Sequence, residues 1–135
     1  MRVLLDTDAM THLIRADRPQ LSSHVMEVAV HDRFTSAISL GELLYGFERS
    51  SRHEHLRAIL DEIILPELTV LPFDEAAAHG YAVLRVTLER QGQALHEADL
   101  RIASIALAHN LVLITGNTRH FRRIPGLRVY DWLNA

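Results

Sequence analysis

The chain has 135 residues, of which 48% are hydrophobic and 23% charged, and its formal net charge is −3 with histidine neutral. These values are typical of a globular domain and exclude a disordered chain, a collagen-like repeat and a small disulfide scaffold. All 14 basic residues are arginine and there is no cysteine, which excludes mechanisms that need a lysine or a thiolate. No segment has the length and apolarity of a signal peptide core or a membrane span. We therefore expect one domain over residues 1–135, located in the cytoplasm and without a membrane partner.

Short apolar segments alternate with amphipathic ones along the chain. In chain order, the predicted elements are strand Arg2–Asp6, helix Ala9–Ala16, helix Gln20–Asp32, strand Phe34–Ile38, helix Ser39–Ser50, helix His53–Leu65 stopped before Pro66, strand Leu68–Phe73, a helix capped by Asp74 and ended by Gly92, helix His96–His109, strand Leu111–Thr115 and a weak strand Leu127–Tyr130. This alternation predicts a three-layer α/β/α sandwich with a mostly parallel, Rossmann-like sheet of five strands.

Oxygen-bearing side chains follow several of these strands. Asp6 ends the first strand, with Asp8 close by, and Glu42 lies in the first turn after the second strand. Asp99 lies in the first turn of the helix that leads into the fourth strand, and Asn117 follows that strand. Because ligands of such sheets bind beyond the carboxyl ends of the strands, these five residues are the candidate site.

Each acid also has a purely structural interpretation. Thr7, or the acids on either side of it, would cap the first helix, and Ser39 with Glu42 matches a capping box. Asp99 would interact favourably with its helix dipole. Apolar residues surround Asp99, however, so we expect it to be partly buried, where a carboxylate needs a partner or takes up a proton.

Mutual repulsion of the acids favours a bound cation. Two carboxylates ~5 Å apart repel by roughly 3 kcal/mol at an effective dielectric constant near 20, and the chain has no lysine to neutralise them. A set of oxygen ligands suits Mg²⁺ or Mn²⁺ better than zinc. Such an ion supports the hydrolysis of phosphodiesters.

The order of the motifs resembles one known family. The motifs are Leu5-Asp6-Thr7-Asp8, Ser39-x-x-Glu42-Leu43-x-x-Gly46, Asp99-Leu-x-Ile102-Ala103, Leu113-Ile-Thr115-x-Asn117-x-x-His120-Phe121, Ile124-Pro-Gly-Leu127 and Trp132. Together they resemble the PIN domain, and in particular the VapC toxin ribonucleases of type II toxin–antitoxin pairs. The resemblance spans essentially the whole chain.

The resemblance implies a fold, an activity and partners. It implies a five-stranded parallel sheet and a Mg²⁺-dependent endoribonuclease in which Mn²⁺ can substitute, so that RNA cleavage inhibits translation and growth. It also implies a homodimer and a VapB-type antitoxin that blocks the acidic cleft, with a larger hetero-oligomer of the two proteins on operator DNA. The antitoxin is expected in an apolar groove formed by the helices between Gln20 and Leu65.

The resemblance also assigns roles to individual residues. Asp6, Glu42 and Asp99 take the three acid positions, and Asn117 takes a fourth position that is often Asp in relatives. Asp6 and Asp99 are expected to ligate the metal directly, and Glu42 through water or as a general base. Asn117 and Asp8 are expected to be auxiliary ligands, and Asn117 or Thr115 could instead orient the attacking water.

Two other functions compete with this interpretation. Asp6-Thr7-Asp8 also resembles the Asp-x-Asp signature of haloacid-dehalogenase-like phosphatases, but that mechanism needs a lysine, which this chain lacks. A binding module that keeps the fold without catalysis is the second alternative, and the retention of all three acids argues against it.

Two clusters of basic residues are candidate phosphate contacts. One consists of Arg119, His120, Arg122, Arg123 and Arg128, and the other of Arg49, Arg52, His53, His55 and Arg57. An ordinary solvated surface is the alternative for each cluster. Tyr45, Phe47 and Phe121 could stack on bases, although packing in the core is the expected use, above all for Phe121.

Overall fold

The computed structural model describes residues 1–134. Five strands and seven α-helices alternate along them. They are β1 (Val3–Leu5), α1 (Thr7–Arg15), α2 (Pro19–Glu27), β2 (Arg33–Ser36), α3 (Ala37–Glu48), α4 (His53–Ile59), β3 (Thr69–Leu71), α5 (Glu75–Arg90), α6 (Glu97–Ala108), β4 (Val112–Ile114), α7 (Thr118–Phe121) and β5 (Val129–Tyr130). A 3₁₀ turn, Val30–Asp32, precedes β2, and a π turn, Leu60–Ile64, with a 3₁₀ turn, Leu65–Glu67, connects α4 to β3.

The five strands form one sheet in the order β3-β2-β1-β4-β5, and every neighbouring pair is parallel. Leu5 pairs with Thr35 of β2 on one side and with Ile114 of β4 on the other. The chain moves outward from β1 in one direction and then returns to place β4 on its other side. The crevice of such a sheet lies at this switch point, beyond the carboxyl ends of β1 and β4.

Alternate residues of the central strands face two separate apolar clusters. Val3 and Leu5 pack with residues of α1, α2 and α3, whereas Leu4 and Leu113 pack with residues of α5 and α6. This is the period-2 alternation of a strand that is buried on both faces. The predicted three-layer α/β/α sandwich with a parallel five-stranded sheet is therefore confirmed.

Several element boundaries differ from the prediction. The second helix ends at Glu27 rather than Asp32, because Val28 is extended and its carbonyl accepts a hydrogen bond from Arg33 Nε at 3.0 Å. The helix predicted over His53–Leu65 is α-helical only to Ile59 and continues as the π turn to Ile64, so it ends before Pro66 as expected but changes its hydrogen-bond pattern on the way. Pro66 lies inside the 3₁₀ turn, at a first-turn position where its missing N–H costs no hydrogen bond.

The structure identifies the caps of α1 and α3, and the second of them differs from the prediction. Of the three candidate caps of α1, Thr7, Asp6 and Asp8, it is Asp6 that takes the position, and its Oδ1 accepts the N–H of Ala9 at 2.8 Å. The hydroxyl of Ser36 caps α3 by accepting the N–H of Ser39 at 2.9 Å. The capping box predicted for Ser39 and Glu42 is therefore wrong, because α3 begins two residues earlier than expected and the Glu42 side chain is left for another contact.

Among residues 1–134, no helix combines the length and the apolar character that crossing a bilayer requires.

Candidate active site

The predicted site residues line one cleft at the carboxyl edge of the sheet. Its lining is Asp6, Thr7, Asp8, Thr11, Glu42, Asp99, Asn117 and Phe121. They come from the residue after β1, from the first half of α1, from α3, from the start of α6, from the loop after β4 and from α7. The topology therefore gathers all five residues predicted from the sequence on one surface.

Asp6 is fixed by the strand that precedes it and the helix that follows. Its N–H donates to the carbonyl of Ile114 at 3.1 Å, which ties it to β4. One carboxyl oxygen caps α1 through Ala9, and the nearby Thr115 side chain helps to lower the pKa of the carboxyl. The residue is only 5% exposed. Asp6 is thus both a helix cap and the most deeply placed acid of the cleft.

Glu42 reaches the cleft from α3. The Thr7 hydroxyl donates a hydrogen bond to Glu42 Oε1, and Ser39 Oγ lies 3.1 Å from Thr7 Oγ1. This polar contact joins the first turns of α1 and α3 across the end of β1. It orients Oε1 of Glu42. Within residues 1–134, Glu42 Oε2 has no hydrogen-bond partner.

Asp8 lies on the opposite side of the cleft and contacts both α1 and the loop after β4. Its Oδ1 lies 3.5 Å from His12 Nε2, and His12 Nδ1 lies 2.8 Å from Asp17 Oδ1. A Cβ added to Gly116 would lie only 2.7 Å from Asp8 Oδ2. The glycine therefore leaves the space that the Asp8 carboxylate occupies.

The electrostatics of the cleft show how close the acids are. Burial raises the pKa of Asp6 to about 7, and repulsion from Asp8 and Asp99 adds to this effect, while hydrogen bonds from Ala9 and Thr115 oppose it. Burial also raises the pKa of Asp99, and the charge of Glu42 acts in the same direction. The acids thus destabilise one another's ionised forms, as the sequence suggested.

His96 and His120 face the same group of acids. Their positive charge, when present, lowers the pKa of Asp99 and partly offsets its burial. Arg123 Nη2 lies 3.2 Å from His120 Nδ1. Because a guanidinium only donates, this contact leaves the ring proton of a neutral His120 on Nε2. The rim of the cleft therefore carries two imidazoles next to its acidic floor.

The donor set fits a hard divalent cation held partly by water. Within residues 1–134, no three or more His, Asp or Glu side chains come close enough together to enclose a metal ion by themselves. Glu42 is turned towards Thr7 and Asp8 towards His12, so they do not close a cage around Asp6. Mg²⁺ usually keeps several waters and takes only one or two carboxylates from a protein. A buried Asp6 with neighbouring Asp99 supplies such a pair.

A family model described as the PIN domain matches residues 3–127. The chain belongs to the PIN domain family. Curated relatives match over nearly the whole length. The tRNA(fMet)-specific endonuclease VapC of Shigella flexneri is 32% identical over 132 residues, and Ribonuclease VapC2 of Rickettsia felis is 33% identical over 133 residues; in both cases the alignment covers 98% of each chain.

Solved structures of PIN-domain proteins match equally well. The structure of VapBC2 from Rickettsia felis bound to a DNA fragment from their promoter gives a TM-score of 0.91 at 32% identity, covering 98% of this chain and 99% of that one. The structure of DNA-bound VapBC from Salmonella typhimurium gives a TM-score of 0.90 at 32% identity, covering 98% of each chain. The resemblance to VapC proteins of the PIN family is confirmed.

Several residues of this PIN domain's cleft were not predicted as site residues. Thr7 and Thr11 line the cleft, and Gly116 accommodates Asp8. His120, which the sequence suggested only as a phosphate contact, acts electrostatically on Asp99 from the short helix α7. The sequence did not predict this helix because four residues show no helical period. Thr7 and Thr11 stand four residues apart on α1, and this spacing next to Asp6 was the one available signal for a shared face.

Proposed function

We propose that this protein is a divalent-metal-dependent endoribonuclease, the toxin of a type II toxin–antitoxin pair whose partner is a VapB-type antitoxin. The observation that carries the proposal is the convergence of Asp6, Glu42 and Asp99 on one cleft, in a chain that aligns along 98% of its length with named VapC ribonucleases. Mg²⁺ is the proposed cofactor, with Mn²⁺ as a substitute. If this assignment holds, the protein cleaves RNA, inhibits growth and is neutralised by its own antitoxin.

The residues of the cleft are proposed to have different roles in phosphodiester hydrolysis. When bound, the cation supplies charge stabilisation at a phosphoryl oxygen and lowers the pKa of a water. Asp6 and Asp99 are proposed to hold it. Glu42 Oε1 is oriented by Thr7, so Oε2 can accept a proton from the attacking water. Asn117 and Asp8 are proposed to orient water or substrate at the rim.

Cleavage of RNA tests this function. The purified wild type, Asp6→Asn and the control Glu75→Gln are each incubated with total RNA and Mg²⁺, with and without EDTA. Glu75 serves as the control because its carboxylate lies on the exposed surface of α5. We expect cleavage by the wild type and the control with Mg²⁺ only. Cleavage that persists in EDTA would refute the metal assignment, and a lack of cleavage of any RNA would favour the binding-module alternative.

An apolar groove supports the proposed partner. Most of its lining residues lie within the predicted segment Gln20–Leu65, although Leu13 and Glu67 outside that segment also line it. Met26 and Ile63 in its lining are 74% and 61% exposed. Arg33 and Glu67 stand at its edge. Exposed apolar side chains of this size mark interaction surfaces, and here we propose that the antitoxin binds.

Co-purification with the neighbouring open reading frame tests the partner assignment. We expect a stable complex with the wild type and loss of that complex with the double variant Met26→Asp and Ile63→Asp. A complex that survives both substitutions would exclude this groove. Size measurement of the chain expressed alone tests the proposed homodimer, which a free monomer would contradict.

A further inference from the structure

A second cavity, of 290 Å³, opens beside the acidic cleft between α1, α3 and α4. It shares Thr7, Thr11 and Glu42 with the cleft, so the two spaces adjoin each other. Its walls are apolar side chains contributed by the three helices, namely Ile14, Leu43, Phe47 and Leu56. The exposed Arg15 and the half-buried Ser50 are also among its lining residues. The cavity therefore has an apolar interior and a polar rim.

Gly46 keeps this cavity open. It lies in the last turn of α3, and a glycine within a helix is less favourable than alanine by up to about 1 kcal/mol. A Cβ added to Gly46 would have no heavy atom within 4 Å. Neither tight packing nor a positive φ therefore requires a glycine here. Because Gly46 has no side chain, there is open space at this point in the wall of the cavity.

The chemistry of the cavity matches one part of a ribonucleotide. Ribose and phosphate are polar throughout, whereas a base has two apolar faces and hydrogen-bonding edges. Phe47 and Leu43 belong to the core and are 8% and 5% exposed, so each presents only an apolar edge to the cavity that it lines. The Thr11 hydroxyl donates to the carbonyl of Thr7 at 2.8 Å, so its oxygen can still accept a hydrogen bond from a base. An unstacked base can therefore pack its faces on the apolar walls and hydrogen-bond through its edge to the Thr11 hydroxyl.

We propose that this cavity binds the base of a nucleotide adjacent to the scissile bond. This inference rests on the proposed ribonuclease function and specifies how the substrate lies: one phosphate over the acids, with a neighbouring base turned between α1 and α3. Arg15, at the rim, is then placed to contact a flanking phosphate.

A pair of glycines on the same helix allows a matched test. Gly46→Leu fills the cavity, and Gly41→Leu adds the same side chain to α3 at a residue that lines neither the cavity nor the cleft. Both positions have no atom within 4 Å of an added Cβ, so both variants should fold. The cut ends of a random-sequence RNA pool are sequenced for the wild type and the two variants.

We expect the wild type and Gly41→Leu to share a base preference at one position next to the cut. Gly46→Leu should lose that preference and cut about tenfold or more slowly, which is the usual loss when a bound base is removed. Unchanged preference and rate in Gly46→Leu would overturn the subsite while leaving the ribonuclease intact. A wild type that cuts no RNA would instead contradict the proposed function.

A measurement of nucleotide binding, made without cleavage, tests the proposed base site independently. Amide NMR spectra of the metal-free protein are recorded with each ribonucleoside 5′-monophosphate and with ribose 5-phosphate. We expect the nucleotides, but not ribose 5-phosphate, to shift the resonances of Thr11 and Gly46. Equal shifts from both, or shifts caused only by the cognate antitoxin, would refute base binding and assign the cavity to another ligand.

Discussion

Replacing Asp6 with asparagine should make the metal-free protein more stable at pH 8. The folded chain buries this carboxyl, which raises its pKa from 3.8 to about 7. Between these values the folded state holds a proton that the unfolded state has released, so the free energy of unfolding falls as the pH rises. Because one pH unit corresponds to about 1.4 kcal/mol, the loss reaches about 4 kcal/mol above pH 7.

Asparagine removes this cost and keeps the local structure. Its carbonyl oxygen can accept the N–H of Ala9, as Asp6 Oδ1 does, and the two residues cap helices about equally well. The free energy of unfolding of Asp6→Asn should therefore exceed that of the wild type by up to about 4 kcal/mol at pH 8. At pH 5 the difference should be about 2 kcal/mol, because the buried carboxyl has cost the wild type less stability there.

Urea unfolding followed by circular dichroism, in EDTA at both pH values, measures the difference. Asp74→Asn is the matched control. Asp74 caps α5 through Ala77 at 2.9 Å, but it is not in the cleft. Its substitution should change stability by less than about 1 kcal/mol at pH 8. An Asp6→Asn protein no more stable than the wild type at pH 8, or a gap that does not shrink towards pH 5, would refute the reasoning.

Further predictions concern the cleft and the surface of α3. Gly116→Ala should displace the Asp8 carboxylate and slow RNA cleavage about 10- to 100-fold, whereas Gly80→Ala, with no atom within 4 Å, should keep full activity and stabilise α5 by up to about 1 kcal/mol. Tyr45 is 65% exposed, so Tyr45→Ala should weaken RNA binding in a gel-shift assay without lowering the melting temperature. Phe47→Ala should instead destabilise the fold by about 3–5 kcal/mol in urea unfolding; reversed effects would contradict both assignments.

The strands and the position of the acids were predictable because they follow simple patterns. β1 and β4 are short apolar segments buried on both faces; Asp6 follows β1 directly, and Asn117 lies three residues after the end of β4. Parallel strands bring their carboxyl ends to one edge, so the sheet order alone places these residues together. Asp99 was expected to be partly buried, and the structure confirms this.

The caps and turns were less predictable because several residues compete for each role. Ser36 and Ser39 are both good caps for α3, and only the structure shows that Ser36 takes that position. Pro66 predicts a helix end, yet a 3₁₀ turn tolerates it. The contact between Asp8 and Gly116 joins residues more than 100 positions apart, and no local pattern encodes it.

The central claim is that the carboxylates of this cleft hold the divalent cation that RNA cleavage requires. Its most direct test is to titrate Mn²⁺ into the protein at pH 8, measuring the bound ion by electron paramagnetic resonance and the cleavage rate in the same samples. The wild type and Glu75→Gln should bind Mn²⁺ and cleave RNA in proportion to occupancy, and Asp99→Asn should lose both. Asp99→Asn protein that binds Mn²⁺ as tightly as the wild type, or cleavage that is independent of occupancy, would contradict the claim.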